Sequence, residues 1–301
     1  MDVVVVIDTF GKHLASCGYA DSTCESYAKN LEPFKRYLIA RNITDLRKVT
    51  HQVILAYQQK VMAQPVAAET KALKIRPVKR LFEHLTETNR LLVNPAEGIV
   101  EVSRKGRKIG SVLTVVEMKK LLAQPDLSER VHLRNRTVLE VIYSTGIRLS
   151  ELLGLEIGDE NLTDRVLFIR KGKGGKQRLV PLGREAVGFL TEYLEKVRPH
   201  FGRKNPRETK LFLNRDGLPL AKHSVRQFLR DYRLQAGIVK AVSPHTLRRS
   251  CATHLMLEGA DVRHIQALLG HERLDTTQIY IRILTKEIKQ THDQTHPGKD
   301  L

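Results

Sequence analysis

The stretch SPHTLRRSCATHLMLEGADVRHIQALLGHERLDTTQIY, residues Ser243–Tyr280, decides how the rest of the chain is read. His245 and Arg248 lie three residues apart, so on a helix beginning near Pro244 they project from one face, where a phosphate could bridge them. A second helical run, Asp261–Leu269 with apolar Val262, Ile265, Leu268 and Leu269, stops at Gly270, the residue type best suited to a left-handed C-cap. His271 follows directly. Asp275, with Gln278 three residues on, has the form of a capping box opening another short helix, and that helix carries Tyr280. Two histidines, an arginine and a tyrosine are thereby gathered around what reads as a phosphate site.

The composition agrees with an anionic partner. A chain of 301 residues is long enough for two domains with ample core. Its net charge of +18 creates a strongly positive field, for which nucleic acid is the first expected partner and an acidic membrane surface the second. No apolar run reaches the roughly 18 residues of a membrane span. The opening run Val3–Ile7 is too short for a signal peptide and lacks its basic flank, so the expected location is cytoplasmic. Cys17, Cys24 and Cys251 are scattered without a C-x-x-C pair; neither a disulfide framework nor a zinc site is indicated, and buried small hydrophobes are the simplest reading.

Taken in order, residues 1–95 read as helices alone. Asp8–Cys17, Ser22–Ala40 with Ser22 as N-cap, Thr50–Ala63 and Ala68–Leu85 each place apolar residues at helical spacing, as in Tyr27, Leu31, Phe34 and Leu38. Pro77 is expected to kink or break the fourth helix, because it lacks a backbone donor. Periodicity fades over residues 96–110, where Arg104, Lys105, Arg107 and Lys108 cluster; this segment is either a solvated hinge or a strap across a phosphate backbone. A second domain begins near Ser111, with helices Thr114–Gln124, Leu133–Tyr143, Arg148–Leu155, Glu185–Val197 and Ser224–Gly237. The last has Val225, Phe228, Leu229 and Tyr232 on one side and Arg226, Arg230 and Arg233 among its polar positions. Arg165–Arg170 and Gln177–Leu182 alternate as strands do around a turn rich in glycine and lysine, Lys171–Lys176, while Lys210–Leu220 reads as strand, Asp-Gly turn and strand end. The tail, residues 285–301, is polar and aperiodic. His292 and His296 there have a metal-compatible spacing but no third ligand nearby.

PHTLRRSCATHL, then LLGH, then TTQIY resembles the tyrosine recombinase (phage integrase) family, nearest its bacterial Xer members. The family pattern is His-x-x-Arg, a Gly-His or Gly-Trp pair some twenty residues on, and a nucleophilic tyrosine nine residues beyond that pair. Four elements in order with their spacing kept are far more specific than a lone His-x-x-Arg. Thr-Gly-Ile-Arg-Leu-Ser-Glu-Leu, residues 145–152, resembles the family's first arginine motif, which makes Arg148 a catalytic candidate and Glu151 a supporting one. Glu151 either orients a guanidinium or forms an ordinary surface ion pair. The Gly-Lys-Gly turn followed by Arg178-Leu-Val-Pro-Leu182 resembles the family hairpin whose lysine protonates the leaving oxygen; Lys173 is the matching residue, with Lys171 and Lys176 as DNA contacts. More loosely, Thr23, Tyr27 and the Asn94-Pro95-Ala96 close resemble the family's helical core-binding domain. Arg249, Cys251 and Pro77 depart from the common pattern, yet none removes a catalytic group.

The resemblance implies a mainly α fold with a small β-sheet: a four-helix, SAM-like core-binding domain over 1–95 and an α+β catalytic domain over 111–284. It also implies a tail at 285–301 exchanged between subunits. The implied chemistry is metal- and ATP-independent strand cleavage and rejoining, with Arg148, Lys173, His245, Arg248 and His271 acting around the Tyr280 nucleophile and no cofactor. The implied partners are a double-stranded DNA recombination site and a homotetramer, or a heterotetramer with a related recombinase, with an accessory protein possible. Two alternatives remain: a type IB topoisomerase-like DNA relaxation, which shares the catalytic set, and a DNA-binding protein of this fold without the reaction, expected when one of the catalytic residues is missing.

Overall fold

The computed structural model describes residues 1–100, 110–170 and 177–270. Arg104, Lys105, Arg107 and Lys108 of the linker, Lys171, Lys173 and Lys176 of the Gly-rich turn, and His271, Asp275, Tyr280 and the tail with His292 and His296 lie outside those residues. The chain divides into two compact units, Met1–Lys108 and Ile109–Leu301. No helix among the described residues is long and apolar enough to cross a membrane.

In the first unit the described residues form four α-helices, α1 (Val3–Ser16), α2 (Asp21–Ile39), α3 (His51–Met62) and α4 (Ala68–Glu87), with a short 3-10 turn, Leu46–Lys48, between the second and third. The first begins at Val3 rather than Asp8. Asp2 caps it by accepting from the backbone N–H groups of Val4 and Val5, both at 2.9 Å, and Val3 and Ile7 join Phe10 and Leu14 on one buried stripe. A run of four valines hides that period, because its exposed members Val4 and Val5 are as apolar as its buried member Val3. The second helix starts at Asp21, so Ala20 rather than the expected Ser22 occupies the cap position. Phe34 sits at the centre of the core, edge-on to Tyr57 at 4.9 Å and to Phe82 at 6.1 Å between ring centroids.

Pro77 does not break α4, which runs unbroken on both sides of it. An interior proline costs about 3 kcal/mol. Ile75, Val78, Leu81, Phe82 and Leu85 flank it with no more than 1% exposure each, and burying each such side chain contributes about 1.5–3 kcal/mol, so packing outweighs the missing hydrogen bond.

The second unit is built on α6 (Arg130–Thr145), which packs against both α8 (Arg184–Glu192) and α11 (Pro244–Leu257). Before it lies α5 (Val115–Leu122), opened by a Thr114–Glu117 capping box. After it come α7 (Leu149–Gly154) and an antiparallel sheet of β1 (Glu160–Asn161), β2 (Val166–Ile169) and β3 (Arg178–Pro181), in the order β1-β2-β3. Ile169 lies opposite Arg178 and Val166 opposite Pro181, with Leu167, Ile169 and Val180 turned into the core. The helix expected over Glu185–Val197 is α8 followed by a π-helical turn, Tyr193–Val197, and α9 (Arg198–Gly202). Residues 210–220 form the expected strand, turn and strand end only as a minimal pair: Leu213 and Pro219 make one isolated bridge, flanked by the Asn214 N–H bond to Leu218 O at 2.8 Å and the Leu220 N–H bond to Phe212 O at 2.9 Å. Asn214 Oδ1 also accepts from the N–H groups of Asp216 and Leu218, closing the turn, and Pro219 sits at the non-hydrogen-bonded position of the pair, where its missing N–H costs no ladder bond. The described part of the unit ends with α10 (Lys222–Gln235), α11 and α12 (Val262–Leu269).

Candidate active site

Ser243 and Thr246 form a reciprocal capping box at the start of α11, with Pro244 in its first turn. This fixes where the next turn points. His245 is exposed, whereas Arg248, three residues later, is only 4% exposed. The two are therefore not side by side at the surface: Arg248 lies beneath, donating from Nη1 to the Gly146 carbonyl and from Nη2 to the Leu269 carbonyl, both at 2.6 Å. Gly146 ends α6 in the left-handed conformation at φ +61°, which turns the chain directly into Arg148 and α7.

Glu151 sits one turn into α7 with its side chain 2% exposed. Its Oε1 accepts from Arg148 Nη1 at 2.6 Å and from Arg178 Nη1 at 3.2 Å. Its Oε2 accepts from Arg178 Nη2 and from the Arg148 backbone N–H, both at 2.9 Å. Burial alone would raise the carboxyl pKa, but the Arg178 fork and the Arg148 contacts outweigh it and hold Glu151 ionised below the usual range. Glu151 therefore sits not in a surface ion pair but in a buried, four-bond junction. The same guanidiniums then converge on one helix end. Arg148 Nη2 donates to Gly270 O at 3.1 Å, Arg178 Nε to Leu268 O at 3.2 Å, and Arg248 to Leu269 O. Three successive carbonyls at the C-terminus of α12, where the helix dipole is negative, thereby accept from three arginines. Gly270 caps that helix at φ +62°, as its sequence indicates.

The electrostatics of His245 follow from this setting. Its imidazole is held below the ordinary value of 6.5, first by partial desolvation and then by the guanidiniums of Arg248, Arg249, Arg148 and Arg226. Exposed at its edge, the ring nonetheless stands in a field of four cations. Arg226, on the polar side of α10, and Arg249, on α11, belong to that field although neither was among the site candidates. Arg249 also lies where a side chain at Gly110 would be, so the chain entering the unit crosses directly over its guanidinium. The segment that follows is pinned to α11: the Leu113 N–H donates to Ser250 Oγ at 2.9 Å, and His254 Nε2 meets the Leu113 carbonyl at 2.8 Å.

Of the sequence candidates, the described residues bring together Arg148, Glu151, His245 and Arg248; Lys173, His271 and Tyr280 lie outside them. Arg178 is the residue that sequence reasoning missed. Its signal was an inverted alternation in β3, where the cation Arg178 shares the inward side with Val180 while apolar Leu179 is 64% exposed. Of the cysteines only Cys251 is buried, its thiol pushed up to about 12 by desolvation; Cys17 is exposed and Cys24 partly so, against expectation.

Residues 111–287 match the Phage integrase family, and residues 7–89 match the Phage integrase, N-terminal SAM-like domain. The chain belongs to the phage integrase family. Among curated proteins of that kind, Tyrosine recombinase XerD of Staphylococcus haemolyticus (strain JCSC1435) is 34% identical over 281 residues, covering 93% of this chain and 94% of that protein. Tyrosine recombinase XerD of Staphylococcus aureus (strain N315) matches at the same 34% identity, over 93% of this chain and 94% of its own. Among solved structures, XerH site-specific recombinase bound to palindromic difH substrate, in a post-cleavage complex, superposes with a TM-score of 0.72 at 24% identity, over 90% of this chain and 79% of that one. A lambda integrase dimer bound to a COC′ core site gives 0.70 at 22% identity, over 91% and 96%. At those identities the structural likeness concerns the fold, which in this chain is mainly α with a small three-stranded sheet in the second unit. As a phage integrase family member the chain is a site-specific tyrosine recombinase, an enzyme of DNA strand cleavage and rejoining.

Proposed function

We propose that this recombinase binds a specific duplex site and cuts each strand through a 3′-phosphotyrosyl link on Tyr280. The observation that carries the reading is the convergence of Arg148 and Arg248 on the end of α12, one residue before His271, with His245 in their field. A phosphodiester repels nucleophiles, so its charge has to be met by fixed donors. Guanidinium forks match two phosphate oxygens and stay charged at every working pH. Arg148 and Arg248 take that role, and His271 adds a donor; the charge that grows in the five-coordinate transition state then meets groups already in place.

Tyrosine is a weak nucleophile at its free pKa of about 10. His245, kept neutral by its surroundings, accepts the phenolic proton as Tyr280 Oη bonds to phosphorus. The bond to the 5′ oxygen breaks, and Lys173 supplies that oxygen with a proton. The product is a phosphotyrosyl ester and a free 5′ hydroxyl; because the ester conserves the bond energy, the 5′ hydroxyl of a second strand reverses the step without ATP. Four subunits on two duplexes, identical or shared with a related recombinase, exchange strands in pairs in the cytoplasm. Resolving chromosome or plasmid dimers and moving a mobile element both use this chemistry. No observation favours the alternatives of topoisomerase-like relaxation or of DNA binding without recombination.

The test is covalent capture. Wild type and Tyr280→Phe are incubated with fragmented genomic DNA of the source organism in EDTA and denatured in SDS, and the retained DNA is sequenced. Retention of a defined sequence by wild type alone is expected. Equal retention by both proteins would remove Tyr280 as the nucleophile.

A further inference from the structure

We propose that Arg178 is a positioning residue of the recombination reaction. From β3 it locks the Glu151 carboxylate and the C-terminus of α12 into one rigid junction, and so holds Arg148 open toward the scissile phosphate. The proposal rests on the reading of Arg148 as a phosphate ligand.

A carboxylate has about four lone-pair sites. In Glu151 all four are filled, two by the Arg178 fork at 3.2 and 2.9 Å, one by Arg148 Nη1 at 2.6 Å and one by the Arg148 backbone N–H at 2.9 Å. Because Arg178 occupies one site on each oxygen, Arg148 can reach Glu151 through only one of its terminal nitrogens, and its Nη2 is left to point at the Gly270 carbonyl. The junction holds two guanidiniums and one carboxylate, a net positive charge facing the site. Without Arg178 the carboxylate has two open sites, and a bidentate pair with Arg148 becomes available. That geometry would turn Nη2 inward and neutralise the cation that the phosphate requires.

The third donor of Arg178 adds a second consequence. Nε donates to Leu268 O, so the guanidinium joins β3, α7 and α12 at one point. β3 follows the turn that contains Lys173, α7 follows Arg148, and α12 precedes His271. Three segments adjacent in sequence to proposed catalytic groups thus share one planar cation, whose side chain is 15% exposed. Lysine could keep the charge but not the fork. Arg178 does not reach the reacting atoms itself; it acts through Arg148 and the end of α12.

The experiment uses the full chain as wild type, Arg178→Ala, Arg178→Lys and Tyr280→Phe. Hydrogen exchange over residues 262–270 needs no DNA and is expected to quicken in both Arg178 variants while the helices of the first unit keep wild-type protection, which also verifies folding. Single-turnover cleavage is then measured at saturating nicked duplex carrying the sequence retained in covalent capture. Arg178→Ala is expected to cleave about 10–100-fold more slowly, the loss typical of a displaced catalytic group, with its DNA dissociation constant unchanged. Guanidinium ion, but not ammonium ion at equal ionic strength, is expected to restore part of that rate. Cleavage at the wild-type rate by Arg178→Ala, unchanged exchange over 262–270, or equal rescue by ammonium each overturns the positioning role. Equal covalent yield from wild type and Tyr280→Phe would instead overturn the underlying reading of the site.

Discussion

His245 is the residue whose protonation state governs the proposed first step. Partial desolvation and the guanidiniums of Arg248, Arg249, Arg148 and Arg226 all oppose a positive charge on its ring, so its pKa lies below 6.5 and the neutral, proton-accepting form persists below neutral pH. The single-turnover cleavage rate should therefore stay level as pH drops through 7 and fall only as it passes a value below 6.5. Arg226→Gln removes an exposed contributor to the field, and its inflection should move upward, toward 6.5. A wild-type inflection at or above 6.5 would remove His245 from the role of base. At this scale the sequence was informative about identities but not about placement. His245 and Arg248 were legible as a pair from their spacing, yet burial divides them, and burial depends on what α6 and α12 bring over Arg248. Arg178 was illegible for a related reason: its partner Glu151 is 27 residues away, and no local pattern announces a contact at that range.

At the scale of elements, the site depends on how two helices end. Gly146 and Gly270 both terminate their helices in left-handed conformations, and the two ends touch: a Cβ added at Gly146 would lie 2.7 Å from Leu269 Cδ2 and 3.4 Å from Cys251 Sγ. Gly146→Ala combines the left-handed penalty with overpacking of a filled position and should destabilise the second unit by about 2–4 kcal/mol. Because the displaced Leu269 carries a carbonyl bound by Arg248, cleavage measured on the fraction still folded should fall as well. Urea unfolding followed by cleavage at equal folded concentration checks both; a loss under about 1 kcal/mol would mean that α12 shifts freely. The helix ends were readable because their chemistry is local: Asp261 and Gly270 bracket α12 in the sequence as in the structure. Elements whose existence depends on distant packing were not. Pro77 stays in a helix because a buried stripe outweighs its defect, and β1, two residues long, exists only as a partner of β2.

For the whole molecule the governing quantity is the net charge of +18, which makes affinity for DNA a function of salt. If about 6–10 phosphates are neutralised, affinity should fall by roughly 10³–10⁵ between about 50 and 200 mM salt, with a logarithmic slope of about −0.9 per contact. The slope can decide what the linker does. Arg104, Lys105, Arg107 and Lys108 are either solvated between two domains or a strap on the phosphate backbone, and the two uses differ in counterion release alone. In a strap each cation displaces a condensed counterion on binding, so replacing all four by glutamine should reduce the slope by about three to four and weaken binding equally on specific and unrelated sequences. In a hinge the residues touch water in both states, so the same substitution should lower net charge without changing the number of ions released. Filter binding of wild type and the fourfold variant across a salt series measures that number directly. Because Arg148, His245 and Arg248 are untouched, covalent capture with the variant at low salt should still yield the wild-type sequence. A reduced slope with capture retained would place the four cations on the backbone, and an unchanged slope would leave them as a hinge.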